Sequence, residues 1–218
     1  MAVNATLADD TKVRIATGAG TAVAGLSFTA AAPAHLTGTG LTMAAGDVVS
    51  ISGSNVAGLD GVWVIGAGAT ATDVILLGSD LTTATAGALP VGAIVTHYDA
   101  AMVTDFSCLI QDLNIQLNED GSVPVGTFCS PSAAISVPPA TVGTVVLPGI
   151  LDVTDAGFKL LDAAAKARKK VIVTLELKKN GWIVFEGTLG RLTYTIARGD
   201  AYKFSVTITL STDPRHLY

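Results

Sequence analysis

From Tyr202 to Leu210 every second residue is apolar: Tyr202, Phe204, Val206, Ile208 and Leu210 alternate with Lys203, Ser205, Thr207 and Thr209. A period of two marks a strand with one buried face, because successive side chains leave a pleated backbone in opposite directions. The same period runs through Val171–Lys178 and Trp182–Leu189, which flank Lys179-Asn180-Gly181. Here the face pattern constrains the turn. A two-residue loop would set Leu175 against Glu186 and Leu177 against Val184, mixing the faces. A three-residue loop pairs Lys178 with Trp182, Leu177 with Ile183, Leu175 with Phe185, Val173 with Gly187 and Val171 with Leu189, and one face becomes wholly apolar. Because a one-residue slip flips every side chain, the odd loop is expected, with Gly181 at the left-handed position of the bulge. The other face then carries Thr174, Glu176, Lys178, Trp182, Glu186 and Thr188. Arg191–Ile196 and Ala201–Leu210 continue the meander.

Upstream, Asp152–Lys170 reads as a helix. Asp152 or Thr154 can accept from its first free amides. Asp152 and Asp155 sit at its positive end, and Lys166, Arg168, Lys169 and Lys170 at its negative end. Phe158, Leu161 and Ala165 recur at helical spacing and predict a core-facing stripe. Ser107–Leu117 alternates as a strand, Asn118–Gly121 is a turn, and 122–142 is rich in Pro, Ser and Gly and reads as a long loop. Thr144–Leu147 is a short strand ended by Pro148-Gly149. Residues 1–15 read as a first strand, with Val13 and Ile15 apolar.

Residues 26–98 differ in character. Asp47–Ser52, Val62–Gly66 and Val74–Leu77 are β-branched segments bounded by glycines, with Asp60-Gly61 as a turn between two of them. About ten residues per strand fits a small barrel or sandwich. Charge marks the same division. After Lys12 and Arg14 no Lys or Arg occurs until Lys159. Residues 1–104 hold seven acids against two bases, whereas 105–218 hold eleven of each. The fold expected is therefore mainly β. A discontinuous core of 1–20 and 99–218 would be a β-sandwich or barrel flanked by one α-helix, and 21–98 an inserted small β-barrel domain.

Half of the 218 residues are hydrophobic and 14% are charged. Such a chain buries a sizeable core, which excludes disorder, and its charge distribution argues against nucleic-acid binding through a basic patch. Cys108 and Cys129 are too few for a disulfide framework and read as buried thiols. No secretory signal and no apolar run long enough for a membrane span is expected.

Chemistry-bearing patterns are sparse. His35, His97 and His216 have no Cys, His or carboxylate at metal-ligand spacing. No Gly-x-Ser-x-Gly elbow occurs, and Gly38-Thr-Gly40 and Gly66-Ala-Gly68 lack a third glycine and a following helix. Asp9-Asp10 and Glu119-Asp120 lie in terminal or turn segments, and Cys129 has no His nearby in sequence. The expectation is no enzyme, no cofactor and no metal. Edge strands and the long loop are natural material for contacts between copies.

Several segments resemble the tail tube family of long-tailed bacteriophages: Thr127-Phe-Cys-Ser-Pro131, Leu147-Pro-Gly-Ile-Leu-Asp152, the helix Thr154–Lys170, and above all Trp182-Ile-Val-Phe-Glu-Gly-Thr-Leu-Gly-Arg-Leu192 followed by Lys203-Phe-Ser-Val-Thr-Ile-Thr-Leu-Ser-Thr-Asp-Pro214. The resemblance covers residues 1–15 and about 105–218. It implies hexameric rings of identical chains, assembled in the host cytoplasm and stacked into a virion tail tube. The tape-measure protein would fill the channel before DNA passes, other tail proteins would be neighbours, and no membrane would be involved. It also implies that the 118–142 loop, with Asn118, Glu119, Asp120, Pro138 and Pro139, and the N-terminal arm reach neighbouring rings. Thr174, Glu176, Lys178, Glu186 and Thr188 become the candidate lumen face. Leu41-Thr-Met-Ala-Ala-Gly-Asp-Val-Val-Ser-Ile-Ser-Gly53, followed by Leu59-Asp-Gly61, resembles a small β-barrel domain known from ubiquitin-activating enzymes and from phage structural proteins. It is expected to decorate the outside of the tube. Two other readings fit the composition: a tail terminator, neck or fibre-base protein, or a host-surface binding module using Phe28, Trp63 and Tyr98.

Overall fold

The computed structural model describes residues 2–5, 12–99, 102–106, 110, 113–117, 121–127, 130–137, 143–177, 181–196, 202–211 and 214–217, with backbone alone for 2–5, 113–117, 121–127 and 130–137. The chain is mainly β, with several antiparallel sheets and one helix among the described residues.

The largest sheet contains β1 (Ala2–Ala5), β2 (Lys12–Ala16), β11 (Val103–Asp105), β12 (Leu113–Leu117), β15 (Gly143–Ile150), β16 (Lys170–Leu177), β17 (Gly181–Thr195), β18 (Lys203–Leu210) and β19 (Arg215–Leu217). Its order is β1-β12-β15-β18-β17-β16-β2-β11, with β19 also on β17. The end strands β1 and β11 do not pair, so the sheet is open and not a closed barrel. One of its faces carries a single core. Val13 and Ile15 of β2 share a cluster with Val145 and Leu147 of β15, Val171, Val173 and Leu175 of β16, Phe185 and Leu189 of β17, and Phe204, Val206 and Ile208 of β18.

The single helix, α1 (Ala156–Lys166), covers that face with Phe158, Leu161, Ala164 and Ala165. It is shorter than the sequence suggests at both ends. Asp152 folds back on Thr154, accepting from its backbone N at 2.8 Å and its hydroxyl at 2.6 Å, so 152–154 forms a turn outside the helix. Asp155 is the cap, accepting from Phe158 N at 2.8 Å, which satisfies one of the amides the first turn leaves free. At the other end Arg168 takes φ of 48° and stops the helix. Lys170 already belongs to β16.

The β16–β17 hairpin keeps the expected faces with a different register. Leu177 pairs Gly181, Leu175 pairs Ile183, Val173 pairs Phe185 and Val171 pairs Gly187, which places 178–180 between the paired ends. A shift of two residues preserves every face, so the hydrophobic pattern decides the parity of the loop and nothing finer. A Cβ on Gly187 would lie 2.5 Å from the Thr209 carbonyl oxygen, so no side chain fits at this position of β17. Arg191–Ile196 is not a separate strand. β17 continues to Thr195, with an irregularity between Leu189 and Leu192. Likewise β15 runs through Pro148-Gly149 to Ile150. Its ladder with β12 ends at Val146, an isolated bridge joins Gly149 to Ile110, and β18 pairs the strand as far as Ile150 on the other side.

The inserted region contains β3 (Thr21–Val23), β4 (Ser27–Phe28), β5 (His35–Thr37), β6 (Val48–Ser52), β7 (Gly61–Val64), β8 (Asp73–Ile75), β9 (Gly87–Ala88) and β10 (Ile94–Tyr98). They form two four-stranded sheets, β3-β10-β6-β7 and β8-β5-β4-β9, linked by an Ile65–Leu76 bridge. Neither closes into a barrel. Asp60-Gly61 is not a two-residue hairpin turn. Ile51 pairs Gly61, and the Asp60 carboxylate gathers the intervening loop by accepting from Gly53 N and Ser54 N at 3.1 and 2.9 Å. The 122–142 stretch is also more ordered than a loop: β13 (Gly121–Thr127) and β14 (Ser130–Val137) make a hairpin.

Candidate functional site

The face of the large sheet opposite α1 divides into two halves. One half lies under the inserted region: Ala16, Ile172, Val184 and Leu217 are buried in the same cluster as Val48, Ile51, Val62 and Trp63. The other half is uncovered and rich in hydroxyls. Register aligns Thr144 with Thr209 and Thr209 with Thr188, and aligns Pro148 with Ser205 and Ser205 with Thr193. Thr188, Thr193 and Thr207 are exposed.

The residues expected on a lumen face fall on both sides of this division. Thr174 is 2% exposed beside a cleft formed with Arg14, Gly46, Asp47 and Asp105, so no channel surface includes it in this arrangement. Glu176 is held by Arg14 at 3.1 Å and Lys12 at 3.3 Å. Glu186 pairs with Lys170 and receives the Ser50 hydroxyl at 3.4 Å. Two of the face's carboxylates are thus neutralised in place, one of them at the junction with β6. Thr188 alone is freely exposed, and Lys178 lies outside the described residues. Asn118, Glu119, Asp120, Pro138 and Pro139 also lie outside them, as do Cys108 and Cys129.

Histidines meet partners that sequence spacing does not reveal. His35 Nδ1 lies 2.8 Å from Asp73. His97 Nε2 lies 2.8 Å from Asp47, and both side chains are buried. Each is a pair, and no group of three or more His, Cys, Asp or Glu able to hold a metal occurs among the described residues. A cleft beside α1 is lined by Asp162, Lys166, Arg191 and Tyr194. Tyr194 donates to Asp162 at 3.2 Å, and Lys166 lies 2.6 Å from the same carboxylate. Partial burial and the Asp162 charge hold the Tyr194 phenol above its ordinary range, and the hydrogen bond from Lys166 to Asp162 raises the ammonium too. Tyr194, Lys166 and Asp162 thus form one hydrogen-bonded ion cluster.

The aromatics proposed for a surface-binding module are mostly occupied. Phe28 is buried, and Trp63 is 4% exposed with the Arg215 guanidinium over its ring at 4.1 Å. Sequence reading missed the His97–Asp47 pair and the Arg215–Trp63 contact, because each joins segments far apart in the chain. No family model matches the chain, and no curated protein is significantly similar to it. No helix among the described residues is long and apolar enough to cross a membrane.

Proposed function

We propose that this chain is a structural virion component, the subunit of a phage tail tube, in which rings of identical chains, six to a ring, stack around a channel for DNA. The observation that carries the reading is the β13–β14 hairpin. Among the described residues its two strands pair with each other and with no third strand. An isolated two-stranded hairpin is marginal in water and calls for a partner surface, and a neighbouring ring supplies one. β1 and β11, which end the sheet among the described residues, suit the same use, because an unpaired edge templates pairing with another chain.

In this reading the channel surface is the uncovered half-face with Thr144, Thr188, Ser205, Thr207 and Thr209. A hydroxyl surface without a cation cluster gains nothing from counterion release, so DNA would slide along it without being held. The inserted region, seated on the other half of that face, adds bulk to each subunit. Tape-measure and other tail proteins are the remaining partners, and the subunit performs no catalysis.

Negative-stain microscopy of the purified chain tests this directly. Rings or tubes are expected, and replacing 121–137 by a short Gly-Ser turn should abolish stacking. A chain that stays monomeric at every concentration and salt condition refutes the proposal. Closed rings that never stack would instead favour a tail terminator.

A further inference from the structure

β18 pairs along one edge of β17 as far as Leu210 opposite Gly187, and Ser211 N still donates to Glu186 O at 2.8 Å. β19 then resumes the same edge: Arg215 faces Val184, His216 faces Ile183 and Leu217 faces Trp182. Arg215 and Leu217 also touch the inserted region. The Arg215 guanidinium stacks on Trp63 at 4.1 Å and donates to Gly58 O at 3.3 Å and to Asp60 O. The Trp63 indole is itself fixed, donating to Leu59 O at 2.8 Å. Leu217 is buried in the cluster shared by both units.

Two glycines make the room. Gly61, with φ of 136°, lies so close that a Cβ would stand 2.6 Å from the Arg215 guanidinium. Gly78, with φ of 65°, would place a Cβ 3.0 Å from the Leu217 Cα. Any side chain at either position would both strain the backbone and fill the seat. Charge is complementary as well. Residues 21–98 contain no Lys or Arg and four Asp, so Arg215 brings a cation to a surface that lacks one.

We propose that this seat is a strand-acceptor site for an Arg-x-Leu segment, and that β19, filling it from within the chain, is the latch that holds the inserted region against the sheet. The site has three parts: a sheet edge that pairs the backbone, an aromatic and carbonyl cradle for the guanidinium, and a glycine-floored slot for the leucine. The inference does not depend on the tube reading, since it concerns one chain in isolation.

The test uses the full chain carrying Arg215→Glu, with hydrogen exchange followed at 61–64 and 182–184. A fluorescently labelled peptide of sequence Thr-Asp-Pro-Arg-His-Leu-Tyr, that of 212–218, serves as probe. In the unsubstituted chain the seat is filled, so exchange is slow and the peptide does not bind. In the variant, exchange at both segments should quicken by about tenfold or more, the scale of a desolvated cation–π contact. The peptide should then bind saturably and restore protection, and a peptide with Glu in place of Arg should not. Unchanged exchange in the variant overturns the latch. Equal binding of the two peptides, or none of either to an opened variant, overturns the acceptor site. If circular dichroism shows that Arg215→Glu does not fold, Arg215→Gln, which keeps much of the bulk without the charge, gives the same readouts.

Discussion

Removing the Asp47 carboxylate should destabilise this protein far more than removing any exposed acid. Asp47, just before β6, and His97, in β10, are 6% and 5% exposed and fifty residues apart in the chain. One oxygen, Oδ2, accepts from His97 Nε2 at 2.8 Å and from Ala44 N at 2.9 Å. A carboxylate is acceptor-only, so the imidazole must be the donor. Asp47→Ala leaves both donors without that acceptor. At about 1–3 kcal/mol for each of the two buried groups left unsatisfied, the loss is about 2–6 kcal/mol. A chain of this size loses roughly 2–4 °C per kcal/mol, so the melting midpoint should fall by about 4–24 °C. Asp47→Asn retains one acceptor oxygen and should cost about half as much. Urea unfolding followed by fluorescence is a suitable assay, since Trp63 in the inserted region and Trp182 in the large sheet report both units. Asp80→Ala is the control: that carboxylate caps an exposed turn through Thr82. If Asp47→Ala falls within about 0.5 kcal/mol of the control, the pair is not the buried acceptor network described, and the reasoning fails.

Four further outcomes follow from the same structure. Phe185→Ala, which empties a fully buried site in the core beneath α1, should cost about 3–5 kcal/mol in the same urea assay. Asp155→Ala removes the helix cap at Phe158 N and should cost about 1 kcal/mol, whereas Asp152→Ala touches only the preceding turn and should leave helix protection in hydrogen exchange unchanged. Tyr98 is raised by burial and then by the Glu186 charge, and Tyr194 by burial and then by Asp162. Because their folded values lie above the unfolded value near 10, the stability they contribute is complete below that pH and is lost as pH climbs through the folded values; ultraviolet titration should show these two of the four tyrosines ionising late. Trypsin should cut the native protein around exposed Lys166 and Arg168 before it cuts after Arg215, and early loss of His216–Tyr218 by mass would contradict the seat described for that side chain.

Much of the large sheet is legible from alternation. Phe204, Val206, Ile208 and Leu210 are buried as their period of two requires, and Val171, Val173 and Leu175 share their core. Tyr202 carries the same period and is 55% exposed, because it lies where β18 has not yet begun. Helix ends were less legible. Asp152, Thr154 and Asp155 are all competent caps by type, and only the hydrogen bonds distinguish a turn-forming Asp152 from the capping Asp155. Pro148-Gly149 reads locally as a strand stop, yet β15 continues because β18 pairs it through Ile150 and Ile110 bridges Gly149. Proline-rich composition likewise concealed the β13–β14 pairing.

By itself, the sequence determined period, face and parity, because these depend on residues two to four apart. It set the odd hairpin loop, the strand class of the C-terminal third, the stripe of α1 and the change of character at the inserted region. Tertiary structure decided what each face meets. Ile172 and Thr174 lie on the face that alternation marks as outward, and both are buried because strands more than a hundred residues away close over them. The same long-range packing paired Asp47 with His97 and laid Arg215 on Trp63. Such contacts carry no local periodicity, since they arise only when a folded inserted region meets a folded sheet.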